Sequence, residues 1–113
     1  MPRFALLEHD WPTPHWDFLL EAGPVLRAWR LAAQPAAGVP IPADANFDHR
    51  LAYLDYEGPL SGDRGCVVRR DAGTFAWVEN DPGRVIVTLC GAILTGRATI
   101  DRQPDGTTIF RLG

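Results

Sequence analysis

The chain has 113 residues, 46% of them hydrophobic and 22% charged, which suits one folded domain over 1–113 and excludes a disordered chain. Eleven bases against fourteen acids leave a net charge of −3, which argues against a protein that coats nucleic acid nonspecifically. All eleven bases are arginine, so a local cluster that grips one phosphate is still compatible with the composition. No apolar run approaches the roughly 20 residues of a membrane span, and the Met1 to Asp10 stretch does not read as a signal peptide. A cytoplasmic protein without a membrane partner is expected. Cys66 and Cys90 lack metal-ligand spacing and are expected to be free, buried thiols.

Short apolar stretches recur along the chain. Strands are expected at Phe4 to Glu8, His15 to Glu21, Val25 to Leu31, Leu51 to Tyr56, Cys66 to Arg70, Thr74 to Glu79, Arg84 to Leu89, Ile93 to Ile100 and Thr107 to Leu112. Ten prolines and eleven glycines fall mostly between them, and Ala22-Gly23-Pro24, Asp71-Ala72-Gly73, Asp81-Pro82-Gly83 and Asp105-Gly106 read as turns. Ala32 to Ala45, with three prolines, reads as a surface loop with room for a helical turn. The pattern predicts a mainly β fold, a small antiparallel β-barrel with little helix.

The informative residues lie between Glu8 and Glu21. In a strand over His15 to Leu20, His15, Asp17 and Leu19 share one face, and the apolar Trp16, Phe18 and Leu20 share the other. His9 ends the preceding strand, and the five-residue link Asp10 to Pro14 can fold it back beside that pair. Two imidazoles and a carboxylate suit Mn²⁺, Zn²⁺ or Fe²⁺ better than Mg²⁺. The same spacing also fits two surface histidines and a strand-end aspartate in local hydrogen bonds. A second cluster, Asp48 to Gly58, holds His49 and Tyr53. Near a metal-bound phosphate they would supply a proton donor and a phenol hydrogen bond. Elsewhere they would be an exposed imidazole and a ring packed on the barrel.

These blocks carry a resemblance. Glu8-His9-Asp10 with His15-Trp16-Asp17-Phe18, the segment Val25-Leu26-Arg27-Ala28-Trp29, the block Asp48 to Gly58, the stretch Gly62 to Phe75, and the Leu-x-Gly-x-x-Leu-x-Gly run from Leu89 to Gly96 together resemble the 3′-phosphoesterase domain of bacterial ATP-dependent DNA ligase D. The resemblance implies a β-barrel and a Mn²⁺-dependent phosphoesterase, with Zn²⁺ as the other candidate ion. That family removes 3′-phosphates and terminal 3′-ribonucleotides from DNA or RNA–DNA ends in end-joining repair, alongside ligase and polymerase proteins. By position it implies His9, His15 and Asp17 as metal ligands, and His49 and Tyr53 as catalytic groups around the scissile phosphate.

The chain departs from the family pattern. Leu19 and Leu7 stand where the family has arginine and glutamine, and Ala33 and Ile41 fall at a lysine and an arginine. The family's extra N-terminal segment is expected to be missing. Arg27, Arg30, Arg50, Arg64 and Arg69 are the candidate replacements, with Arg50 and Arg30 assigned to substrate binding. Arg50 adjoins His49, yet strand neighbours point to opposite faces, which favours a solvated Arg50. Trp11 is expected to pack on Pro12 or Pro14, with stacking on a terminal base as its other role. The sequence thus predicts a monomeric metal-dependent 3′-end phosphoesterase. A non-catalytic end- or partner-binding module and a phosphoesterase for a small molecule are the alternatives.

Overall fold

The computed structural model, which describes residues 1–113, contains nine strands and one 3₁₀ turn. In chain order these are β1 (Arg3–His9), β2 (His15–Ala22), β3 (Val25–Leu31), β4 (Ile41–Arg50), the turn (Leu51–Leu54), β5 (Gly58–Pro59), β6 (Cys66–Asp81), β7 (Arg84–Gly91), β8 (Thr95–Arg102) and β9 (Thr108–Leu112). The sheet runs β1-β2-β3-β4-β9-β8-β7-β6, and β6 returns to pair with β1. Eight antiparallel strands therefore close into a barrel, with β5 added on β6. Closure removes the unpaired edges that an open sheet would expose. No helix is long and apolar enough to cross a membrane.

Period-two alternation fills the barrel. Phe4 and Leu6, Phe18 and Leu20, Trp29 and Leu31, and Ile41 and Ala43 point inward from β1 to β4. Phe18 sits at the centre, with the rings of Phe110, Phe4 and Trp29 at 5.1, 6.2 and 6.4 Å. A second apolar cluster lies on the outer wall: Ala5, Leu7, Leu19, Leu26, Ala28 and Val67, covered by Leu54 from the 3₁₀ turn and by Tyr53 and Tyr56. β2 is therefore largely buried on both faces. Its inner residues fill the barrel, and Leu19 is buried outside beneath the turn. His15 and Asp17 share that outer face, so the functional residues sit on the wall of the barrel and not in its lumen.

Five expectations are corrected. Leu51 to Tyr56 is not extended: the chain leaves β4 and crosses the outer wall as a 3₁₀ turn, inserting Leu54 into the outer cluster. The proline-rich stretch yields to β4 at Ile41, because Ile41 and Ala43 reach the lumen and Pro42, near the strand start, forfeits little pairing. Asp71-Ala72-Gly73 is no turn but the corner of one 16-residue strand, where an irregularity in the β1–β6 register bends β6 from one set of partners to the next. The Asp71 carboxylate is buried there and accepts the N–H groups of Ala92, Ile93 and Leu94 at 3.0, 3.1 and 2.6 Å. Ile93 and Leu94 thus belong to the β7–β8 loop, and β8 starts at Thr95. Gly91 lies under this loop, where a Cβ would overlap the Asp71 carboxylate and the Phe4 ring. Finally, Cys66 and Cys90 are free but exposed, since both sit at outward positions of their strands.

Candidate metal centre

The β1–β2 register makes His9 the direct partner of His15, and Leu7 the partner of Asp17. Directly opposed residues point to one face, so both imidazoles and the carboxylate meet on the outer wall. One ligand atom from each of His9, His15 and Asp17 lies within 4.8 Å of the others. His9 Nδ1 is 3.7 Å from Asp17 Oδ2, and His15 Nε2 is 3.3 Å from Asp17 Oδ1. His15 and Asp17 are only 4% and 6% exposed, so the cluster is shielded from solvent on most sides.

Backbone carbonyls select the tautomers. His15 Nδ1–H donates to Thr13 O at 2.9 Å, and His9 Nε2–H donates to Arg64 O at 2.8 Å. The nitrogens left with lone pairs, His15 Nε2 and His9 Nδ1, are the two that face Asp17. His15 Nε2 is buried without a hydrogen-bond partner. Leaving a buried polar atom unpaired costs about 1–3 kcal/mol. Lone pairs on both sides of a 3.3 Å gap attract only through a cation between them. The donor set, its tautomers and the orphaned nitrogen fit a divalent metal ion of the Mn²⁺ or Zn²⁺ type.

The Glu8-His9-Asp10 motif divides three tasks. His9 is the candidate ligand. Glu8 accepts Arg70 Nε–H at 2.8 Å across β1 and β6. Asp10 Oδ1 accepts the Cys66 N–H at 2.8 Å and so ties down the loop before β6. That loop supplies the Arg64 carbonyl that orients His9. Gly65, at φ +77°, permits the close approach, since a Cβ there would overlap Asp10 and Trp11.

His49 arrives from the far end of β4, paired with Leu26 beyond an irregularity in the β3–β4 ladder. Its Nδ1–H donates to Phe47 O at 2.8 Å, leaving Nε2 for the cleft. Tyr53 packs edge-on against it, with ring centroids 5.8 Å apart. A cleft of about 310 Å³ is lined by His9, His15, Asp17, Arg30, His49, Arg50 and Tyr53 together, the residues assigned from sequence to the metal, to catalysis and to substrate binding. Arg30 is the cross-strand partner of Asp17. Arg50 is exposed, as the solvated reading has it, and also borders the cleft: the strand ends there, and its guanidinium lies over the Tyr53 ring, 5.9 Å from the centroid. Of the other candidate arginines, Arg64 lines the cleft, whereas Arg27 covers Trp29 and donates to Asn80, and Arg69 donates to the Leu54 carbonyl. Trp11, Asn46, Phe47 and Asp48 also line it. Asn46 and Phe47 escape sequence reading because only strand pairing of β4 with β3 brings them to the site.

Two of the departures become intelligible. Leu19 belongs to the outer cluster under the 3₁₀ turn, where it packs with Leu54. Ile41 points into the lumen, so its apolar side chain removes nothing from the cleft.

Fold and site together define a closed antiparallel barrel with a two-histidine, one-carboxylate cluster in a cleft on its outer wall. Residues 7–102 match the family model of the DNA ligase D 3′-phosphoesterase domain, and the chain belongs to that family. It is 34% identical over 108 residues to the multifunctional non-homologous end joining DNA repair protein LigD of Mycobacterium tuberculosis, and equally to the LigD of Mycobacterium bovis. The match covers 88% of this chain and spans 14% of the length of each relative.

Proposed function

We propose that the protein is a metal-dependent phosphoesterase that removes a 3′-phosphate or a terminal 3′-ribonucleotide from nucleic-acid ends in DNA end joining, as a monomer alongside ligase and polymerase proteins. The observation that carries this reading is the convergence of His9, His15 and Asp17 on one point of a cleft that also holds His49 and three arginines. Mn²⁺ is the ion assigned, with Zn²⁺ as the alternative. When bound, it supplies Lewis-acid polarisation of a phosphoryl oxygen.

The chain's own residues do the rest. His9, His15 and Asp17 hold the ion, with the imidazoles fixed by the Arg64 and Thr13 carbonyls. Arg30, Arg50 and Arg64 match the charge of a terminal phosphate; the forked donors of Arg30 and Arg50 suit its oxygens, while Arg64 donates through Nε and Nη2 to Ser61. His49, held through Nδ1–H, presents Nε2 to the phosphoryl group. Protonated there, it stabilises developing negative charge and can return a proton to the leaving oxygen. Tyr53 braces its ring. Water forms the new bond to phosphorus and releases a proton to solvent, the bond to the 3′ oxygen breaks, and that oxygen takes the His49 proton and leaves as a hydroxyl.

The test is release of inorganic phosphate from a primer–template bearing a 3′-phosphate. Release with Mn²⁺ that stops on chelation and is lost in His49→Ala is expected. No release with Mn²⁺ or Zn²⁺ overturns the reading and favours the binding module or a small-molecule substrate.

A further inference from the structure

The rim of the cleft carries an apolar ring that no part of the fold buries. Phe47 is 74% exposed, on an outer stretch of β4. Single exposed apolar residues are common and carry no message by themselves. Phe47 differs in its placement. Its ring stacks nearly parallel on the His49 imidazole, with centroids 5.0 Å apart and planes 15° apart. It lines the same cleft as the metal cluster and Arg30, Arg50 and Arg64. One face of the ring is therefore covered by a group proposed to act on the phosphate, and the other is open to solvent. Trp11, 44% exposed, adds a second aromatic to the lining from the β1–β2 link.

We propose that Phe47 is the platform on which the base of the 3′-terminal nucleotide stacks, a proposal that rests on the reading of the cleft as a 3′-phosphoesterase site. A ring with one free face beside a phosphate pocket matches a ligand that pairs a phosphate with a planar base. A small aliphatic phosphoester has nothing to lay on it. β4 lies two strands from β2, about 10 Å across the sheet, so the Phe47 ring and the His15–Asp17 end of the metal cluster fall on separate parts of one cleft. Stacking accepts any base, so the subsite selects a nucleotide end and not a sequence. His49 gains from the arrangement, because the base on Phe47 would extend the stack that holds its ring.

The test compares two oligonucleotides with a 3′-phosphate, one ending in thymidine and one ending in an abasic nucleotide. Wild type is expected to favour the thymidine end in kcat/KM by about tenfold. Phe47→Ala brings that ratio close to one, and Phe47→Trp restores it. An equal fall on both substrates in Phe47→Ala, with the ratio kept, makes the ring a mere support for His49 and overturns the platform. Fluorescence anisotropy on the same oligonucleotides, read without turnover, separates the two levels. Tighter binding of the thymidine end without phosphate release keeps the platform and refutes the enzyme reading. Equal binding of both ends refutes the platform, whether or not phosphate is released.

Discussion

Among the buried polar residues, Asp71 is the one whose loss the barrel should feel most. It is a buried carboxylate that no cation pairs; three backbone N–H groups of the β7–β8 loop satisfy it instead. Asp71→Ala removes all three bonds. Ala92 and Ile93 are exposed and recover hydrogen bonds from water at little cost. Leu94 is buried, its N–H makes the shortest of the three bonds, and its side chain packs in the barrel core. A hydrogen bond to a charged group is worth about 1.5–3 kcal/mol, and loosening of Leu94 adds to it, so about 3 kcal/mol is expected. With about 2.1 cal/mol/K of unfolding entropy per residue, 113 residues convert this to a fall in Tm of about 12 °C. Asp71→Asn should sit between alanine and wild type, since its amide N–H₂ must oppose at least one backbone N–H. Circular dichroism melts and urea titrations give both values. A fall of less than about 2 °C in Asp71→Ala would refute the claim that the carboxylate pins the loop.

Other outcomes follow from the same geometry. His15→Ala relieves an orphaned buried nitrogen but gives up the Nδ1–H bond to Thr13 O and a buried ring, so the metal-free protein should stay folded with a modestly lower Tm, while the rise in Tm on adding Mn²⁺ disappears. Asp10→Ala should unpin the loop that orients His9 and weaken Mn²⁺ affinity by about 10- to 100-fold in calorimetry, without loss of any ligand. Phe110→Ala, at the centre of the barrel, should cost about 3–5 kcal/mol in denaturant unfolding. The exposed Arg3–Asp55 pair predicts a small acid effect. The Arg3 hydrogen bond holds the Asp55 carboxyl below its usual range, so its stabilisation is present above the unfolded carboxylate's pKa and fades as pH falls through the folded value. Asp55→Asn should flatten that acid limb of the Tm profile.

The parts of the fold legible in sequence were those set by local patterning. β1, β2 and β3 show their alternation directly, and the short links between them leave only antiparallel pairing. His9, His15 and Asp17 come together through one strand–link–strand unit, so their meeting could be read from spacing and face alone. His49 and Tyr53 required the β3–β4 pairing and the 3₁₀ crossing, which no local pattern announces; the family resemblance placed them. β4 was hidden because Pro42, with Pro40 just before the strand, and small residues mask two inward positions, Ile41 and Ala43. The corner at Asp71 mimicked a turn because Asp and Gly serve both purposes: here the carboxylate caps a distant loop and Gly73 admits the β7 backbone. Arg50 borders the cleft beside His49 because strand alternation stops where the strand does.

The central claim is that His9, His15 and Asp17 hold the ion that a 3′-phosphoesterase needs. The most direct measurement sets wild type beside His9→Ala in one Mn²⁺ titration, with phosphate release from a 3′-phosphorylated primer–template followed in the same samples. Saturable Mn²⁺ binding and phosphate release by wild type alone, with both proteins folded, is the predicted result. Phosphate release by His9→Ala at the wild-type rate, or wild type that binds no Mn²⁺, would contradict it.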